Sequence, residues 1–240
     1  SHFYSVRRLT RKNRIDILHI INIRLSKYAR FSKSRKVVLE NEGRDVLILP
    51  KINRDIRREY KINYRFADAV IQDSKISQDA GIRYGAPKRN NEIIKIGIDF
   101  TKFNLDVRKN VARQRLKIKD SQKFVFCSRS FEERYNMDTI IETIPKVSSK
   151  IPGVKYVFSS LTDDIGETYR RLIDKLNIRK NIIFTIYLDH EKEMPFFIKD
   201  ADVVVSVPST NSSPFSVYEA MACGTPVIIT ELPWYHGKFE

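Results

Sequence analysis

The sequence predicts an α/β protein built as two parallel-sheet domains. From Lys123 onward, short β-branched or aromatic runs (KFVFCS, VKYVFSS, NIIFTIYL, DVVVSV, PVIIT) alternate with helical patterns. Runs of this kind mark strands buried on both faces of a parallel sheet. Strand–helix alternation demands right-handed crossovers between such strands. A second, less regular set (IDILHI, KVVLEN, AVIQ, EIIKIGID) precedes residue 104. At 240 residues the chain can hold two smaller domains, and the pattern divides it into 1–104 and 105–240.

In chain order, Ser5 to Asn13 reads as an Arg-rich helix end and Ile15–Ile20 as a buried strand. Arg24 to Lys36 reads as one basic helical segment, and Lys36–Asn41 as the next strand, followed by EGRDV. Residues 51–65 are charged and helical, Ala69–Gln72 is a strand, Ser77–Gly85 a short helix, and Glu92–Asp99 a further strand running into a turn. Arg108 to Lys119 reads as a basic linker. The second domain then opens with Lys123–Ser128. Asp138–Lys150 is a helix whose Ile140, Ile141, Ile144 and Val147 form one apolar stripe. Ile165–Asn177 and Glu193–Asp200 are the next helices, the latter with Pro195 near its start.

Charge narrows the function classes. The chain carries 44 Lys+Arg and 29 Asp+Glu, net +15. Residues 1–104 hold 24 and 11 of these, net +13; residues 105–240 hold 20 and 18, net +2. A basic first half suits an anionic membrane surface, a phosphate-bearing acceptor or nucleic acid. Nucleic acid is disfavoured, because no recognisable module and no row of aromatics interleaved with Arg is present. Within Arg24–Lys36, Arg24, Lys27, Arg30, Lys33, Arg35 and Lys36 recur every few residues around Tyr28 and Phe31, the mixture an interfacial helix needs. Cys127 and Cys223 form no CxxC pair, and no apolar run reaches membrane-spanning length. The expectation is a cytoplasmic protein, peripheral on the inner face of the membrane.

The stretch Ser206–Thr230 carries the densest chemistry. A buried strand, a polar loop and a helix start meet there, with Ser213 read as N-cap, Pro214 as first helical residue and Gly224 as the C-terminal stop. A helix start offering free backbone N–H groups is an anion site. Ser216 and Glu219, three apart, share a helix face near that end. A carboxylate one turn inside such a helix suits the hydroxyls of a ribose or sugar. Arg129 directly follows the first strand of the second domain. Ligands of open α/β sheets bind beyond the carboxyl ends of the strands, so Arg129 and the helix start should converge.

EAMACGTPVI, Glu219 to Ile228, resembles the E-x7-E segment of glycosyltransferase family 4, retaining enzymes with the GT-B fold of two Rossmann-like domains. The family's first acid falls on Asn211, a departure. In the first half, EGRD (Glu42 to Asp45), ADAVIQDS from Ala67 and IKIGIDFTKF from Ile94 are similar to further family segments. Glu42 stands where the family has a His close to the donor sugar, and Lys95-Ile96 replaces Pro-Asn. The resemblance implies a first domain lacking its opening strands and a second lacking its C-terminal end, an internal portion of a longer enzyme. It further implies a donor diphosphate held by Arg129 and by Arg134, which stands in a Lys position. Tyr135-Asn136 replaces the usual Gly in the same loop. Glu42 would complete the catalytic set. Asn211, Ser212, Ser213, Pro214, Phe215, Ser216 and Glu219 would bind the donor, with Tyr187 and Leu188 near the nucleobase. No metal-binding acid pair is evident, and His190 and His236 lack metal-ligand spacing. His19 reads as a satisfied strand-end residue.

The resemblance thus implies a metal-independent, retaining transferase with no cofactor beyond its donor, a nucleotide-diphosphate sugar such as a UDP- or GDP-sugar. Its acceptor would be a glycan or a lipid-linked sugar. The alternatives are a sugar-nucleotide epimerase of the same fold and a degenerate, non-catalytic scaffold, the latter suggested by Asn211 and Glu42. A phosphorylase would need a cofactor-binding Lys for which no motif appears.

Overall fold

The computed structural model describes residues 2–41, 43–95, 97–160 and 165–235, apart from the side chains of Arg44 and Trp234. Glu42 and His236 therefore lie outside the described residues. The chain divides into two units, residues 1–97 with 211–213 and residues 98–210 with 214–240.

The first unit holds a four-stranded parallel sheet in the order β1 (Ile17–Ile21), β2 (Lys36–Asn41), β3 (Ala69–Gln72), β4 (Asn91–Ile93). Helix α1 (His2–Lys12) precedes it. After β2 come α2 (Gly43–Leu47), α3 (Leu49–Ile52) and α4 (Arg54–Asn63), and α5 (Lys75–Arg83) follows β3. Leu39, Val46, Tyr60, Tyr64 and Val70 form its core. Buried amides at the ends of β2 and β3 are matched to each other. Asn41 Nδ2 donates to Gln72 Oε1 (2.8 Å), and Tyr64 OH donates to Asn41 Oδ1 (3.0 Å). Gly81 lets α5 lie against this pair, since a Cβ there would stand 2.7 Å from Gln72 Nε2.

The second unit begins with α6 (Val111–Leu116) and holds a five-stranded parallel sheet. Its strands are β5 (Phe124–Cys127), β6 (Lys155–Ser160), β7 (Ile182–Ile186), β8 (Val203–Ser206) and β9 (Val227–Ile229), in the spatial order β7-β6-β5-β8-β9. Helices α7 (Met137–Lys150), α8 (Glu167–Lys175), α9 (Met194–Asp200) and α10 (Phe215–Ala222) connect them. The period of two in β5 explains why this strand is wholly apolar. Val125 and Cys127 pack with Met137, Ile141 and Phe158 on one face, while Phe124 and Phe126 pack with Phe197, Val204 and Ala220 on the other. The strand order reverses direction between β5 and β8. Ligands of open α/β sheets gather beyond the strand carboxyl ends at such a switch point. Gly224 closes α10 in the left-handed region (φ 71°), where Thr225 N donates to Ala220 O (2.8 Å).

Several sequence expectations are corrected. Arg24–Lys36 is not one helix. A 3₁₀ helix spans Ile23–Phe31, and Lys36 already belongs to β2. Ser and Thr side chains take over the backbone in between: Lys33 N donates to Thr10 Oγ1 and Ser34 N to Ser32 Oγ, both 3.0 Å. Phe3 of α1 packs on Tyr28 and Phe31 (ring centroids 5.4 and 4.5 Å), so those aromatics are not free to enter a lipid surface. The strand expected over Glu92–Asp99 stops at Ile93, and Asp99 turns the chain by accepting from Thr101 N (2.9 Å). The stretch after β2, given no element by its sequence, forms α2 over Gly43–Leu47. The basic linker contains α6, because Asp200 caps that helix from a distance. Its carboxylate accepts from Asn110 N (2.5 Å), Ala112 N (2.7 Å) and Arg113 N (3.1 Å). Among the described residues no helix is long and apolar enough to cross a membrane.

Candidate functional site

Arg129 leaves β5 at the switch point. Its guanidinium lies over the Tyr135 ring (5.3 Å to the centroid), and Arg134 covers the same ring at 4.5 Å. Two cations thus share one aromatic, each within cation–π reach. Their surroundings differ. Arg134 is ion-paired with Glu132, with Nε–Oε2 at 3.1 Å and Nη2–Oε1 at 3.4 Å, although its buried Nε, like that of Arg129, makes no hydrogen bond among the described residues. Arg129 keeps Nε and Nη2 buried without a hydrogen-bond acceptor among the described residues. Its field acts on the buried Tyr235 hydroxyl, whose pKa burial pushes up and Arg129 draws back down.

The loops after β5 and β8 are tied together. Asn136 Nδ2 donates to Val207 O (2.8 Å), and Ser209 N donates to Arg134 O (2.8 Å). Among the described residues, Ser206 Oγ at the end of β8 and Ser216 Oγ in the first turn of α10 are also buried without a partner. Helix α10 starts one residue later than the sequence suggested. Pro214, not Ser213, is the N-cap, and its carbonyl accepts from Val217 N (2.9 Å) and Tyr218 N (3.2 Å). No side chain caps the helix, so its first N–H groups remain available to a ligand. Ser213 is drawn elsewhere: Asn211, Ser212 and Ser213 group with the first unit, where Ser212 Oγ donates to the Asp73 carboxylate and Ser213 Oγ to Asp73 O (3.4 Å).

Glu219 projects from the second turn of α10 with its side chain only 8% exposed. Its Oε1 lies 2.7 Å from His190 Nε2. Sequence reasoning set His190 aside for lack of metal-ligand spacing. The signal available was its place just after a strand's carboxyl end. Tyr187, just after β7, lies in the left-handed region (φ 32°) and is 63% exposed, whereas Leu188 is buried in the core. Tyr187 is therefore presented outward and Leu188 is a packing residue. His19 sits in the middle of β1 rather than at its end, and it pairs with Glu40 in the first unit (2.9 Å). Among the described residues no group of three His, Cys, Asp or Glu side chains is placed to hold a metal ion.

Residues 108–235 match the family of glycosyl transferases group 1. A putative glycosyltransferase of Bacillus subtilis, YtcC, is 25% identical over 244 residues, 92% of this chain and 56% of that protein. An alpha-monoglucosyldiacylglycerol synthase of Streptococcus pneumoniae is 22% identical over 233 residues, covering 95% of this chain and 49% of its own. The chain spans about half the length of the curated relatives it matches. Among solved structures, Anabaena HepE in complex with UDP and glucose superposes with a TM-score of 0.81 at 17% identity, over 99% of this chain and 65% of that one.

Proposed function

The chain belongs to the glycosyl transferases group 1, and we propose that it is the donor-binding part of a retaining transferase that moves a sugar from a nucleotide diphosphate to a glycan or lipid-linked acceptor. One observation carries this reading: among the described residues, Arg129 just after β5 keeps two buried N–H donors without an acceptor, and Ser206 at the end of β8 and Ser216 in the first turn of α10 keep buried hydroxyls without a partner. A native interior rarely leaves such groups unmatched, and a diphosphate would match them. The leaving group of the reaction is that diphosphate, so transfer is promoted by stabilising its developing charge. Arg129 and the first N–H groups of α10 do this in the reading, and no metal is asked of the site. Arg134 joins once its pairing with Glu132 opens. Glu219 takes ribose hydroxyls, and exposed Tyr187 flanks the base. UDP in the HepE structure supports a nucleotide ligand.

The acceptor side of the reading rests on the first unit. Arg7, Arg8, Arg11 and Lys12 of α1 line one surface depression with Tyr4, which is 70% exposed. This mixture fits an anionic lipid surface better than the 3₁₀ segment first singled out, and makes the protein peripheral at the membrane. A second reading, a nucleotide-binding scaffold without turnover, draws on Asn211 and on the closed Arg134–Glu132 pair.

Thermal shift with UDP, GDP and ADP tests the donor reading. A nucleotide at 100 times its dissociation constant stabilises by about 2.7 kcal/mol. Stabilisation with turnover of the matching nucleotide sugar supports the transferase; stabilisation without turnover by the full-length protein supports the scaffold; no stabilisation by any of the three removes both.

A further inference from the structure

The loop from Tyr187 to Glu193 is held by a dense set of hydrogen bonds, and it delivers one side chain to Glu219. Asp189 Oδ1 accepts from Glu191 N (3.0 Å) and Lys192 N (2.9 Å), and Asp189 N donates to Glu193 Oε2 (2.8 Å). Asp189 O accepts in return from Glu193 N (2.9 Å) and Met194 N (3.0 Å). The other oxygen of Glu193 is paired with Arg115, and Leu188 anchors the loop in the core. His190, between these fixed points, rests its ring near buried Phe103 (centroids 5.3 Å apart, 48° tilt) and reaches Glu219 Oε1. Its side chain is nevertheless 61% exposed, so no packing demand explains the arrangement.

We infer that His190 is a positioning residue that fixes the Glu219 carboxylate for a vicinal diol, the 2′ and 3′ hydroxyls of the donor nucleoside. This deepens the donor-binding reading and rests on it. A free carboxylate one turn inside a helix samples several rotamers; one oxygen pinned to this hydrogen-bonded loop leaves a single orientation of the other. Bidentate recognition of neighbouring hydroxyls depends on that orientation, because each hydroxyl must meet a lone pair at hydrogen-bond distance. His190 therefore sets the preference for ribose over 2′-deoxyribose without being a catalytic residue.

The test uses the full-length protein and calorimetric titration with UDP, GDP and ADP, each beside its 2′-deoxy counterpart. For the nucleotide that binds, the wild type is expected to prefer the ribose form about tenfold or more. His190→Ala is expected to weaken the ribose form about tenfold and leave the 2′-deoxy form within twofold, collapsing the preference. His190→Gln, which retains an N–H donor, restores most of it. Thermal unfolding of both variants without ligand is expected to stay within about 2 °C of wild type, since His190 is mostly exposed. Equal weakening of both forms by His190→Ala, an unchanged preference, or failure of Gln to rescue overturns the inference. Glu219→Ala separates the two levels. If it abolishes the preference while His190→Ala does not, the donor reading stands and the role of His190 falls. If the wild type binds none of the nucleotides, both fall together.

Discussion

At the amino-terminal ends of β5 and β8, charged groups are answered in full. Asp202 accepts from Phe124 N (2.8 Å), Lys123 Nζ (3.0 Å) and Arg113 Nη2 (2.7 Å), while Asp200 receives three backbone N–H groups of the α6 start. At the carboxyl ends of the same two strands, Arg129, Ser206 and Ser216 keep buried polar atoms without partners among the described residues. One sheet thus carries a closed polar joint at one end and an open one at the other. The closed end ties the start of the second unit to its sheet. The open end forfeits some stability, and that loss is tolerated where a ligand completes the hydrogen bonds. Binding and stability should therefore separate by strand end, and substitutions at each end test that separation.

The largest effect is expected at the closed end. Asp200→Ala strands three N–H donors at the α6 start and is predicted to destabilise by about 3 kcal/mol, since hydrogen bonds to a charged group contribute about 1.5–3 kcal/mol each and are only partly replaced by water. Urea unfolding measures this, with nucleotide affinity of the folded protein kept. A loss below about 1 kcal/mol would mean that the cap is ornamental.

Next comes the open end. Arg129→Met is predicted to raise the nucleotide Kd at least thirtyfold, about 2 kcal/mol, the lower range for removing one partner of a buried charge pair. Stability without ligand should be unchanged or higher, because two buried N–H donors without acceptors are removed. A variant that loses stability but binds normally would assign Arg129 to the closed, structural class. Ser216→Ala follows with a smaller loss, about fivefold in Kd, near the 1 kcal/mol of one hydrogen bond, and with neutral stability. Titration and unfolding of the same preparation measure both.

The smallest effect is in pH. Burial pushes the Asp202 pKa up, but the Phe124 N–H, Lys123 and Arg113 outweigh it and hold the group below its usual carboxylate value. A folded-state pKa below the unfolded one gives stability that is present above the unfolded pKa and lost as pH falls through the folded one. Unfolding midpoints should therefore drop below about pH 4, near the ordinary Asp pKa. Asp202→Asn should flatten that limb. The side chain is about a third exposed, so solvent screening keeps the contribution under about 1 kcal/mol. An acid limb unchanged by Asp202→Asn would place the sensitivity in other carboxylates.

The amino-acid sequence by itself determined the parallel α/β class, the strand positions of the second unit, the helix carrying Glu219 and the place of Arg129 after β5. These features are local: period-two and period-3.6 patterning, a left-handed Gly stop at Gly224 and the rule that ligands gather at strand carboxyl ends all act within a few residues. Tertiary structure decided the rest. Asp200 caps a helix about 90 residues earlier in the chain, and His190 meets Glu219 across 29 residues. Asn211 to Ser213 group with the first unit, which moves the start of α10 to Phe215. Such pairings depend on which strand ends converge and how loops fold over them. The strand order that sets this convergence is a property of the packed sheet rather than of any local stretch.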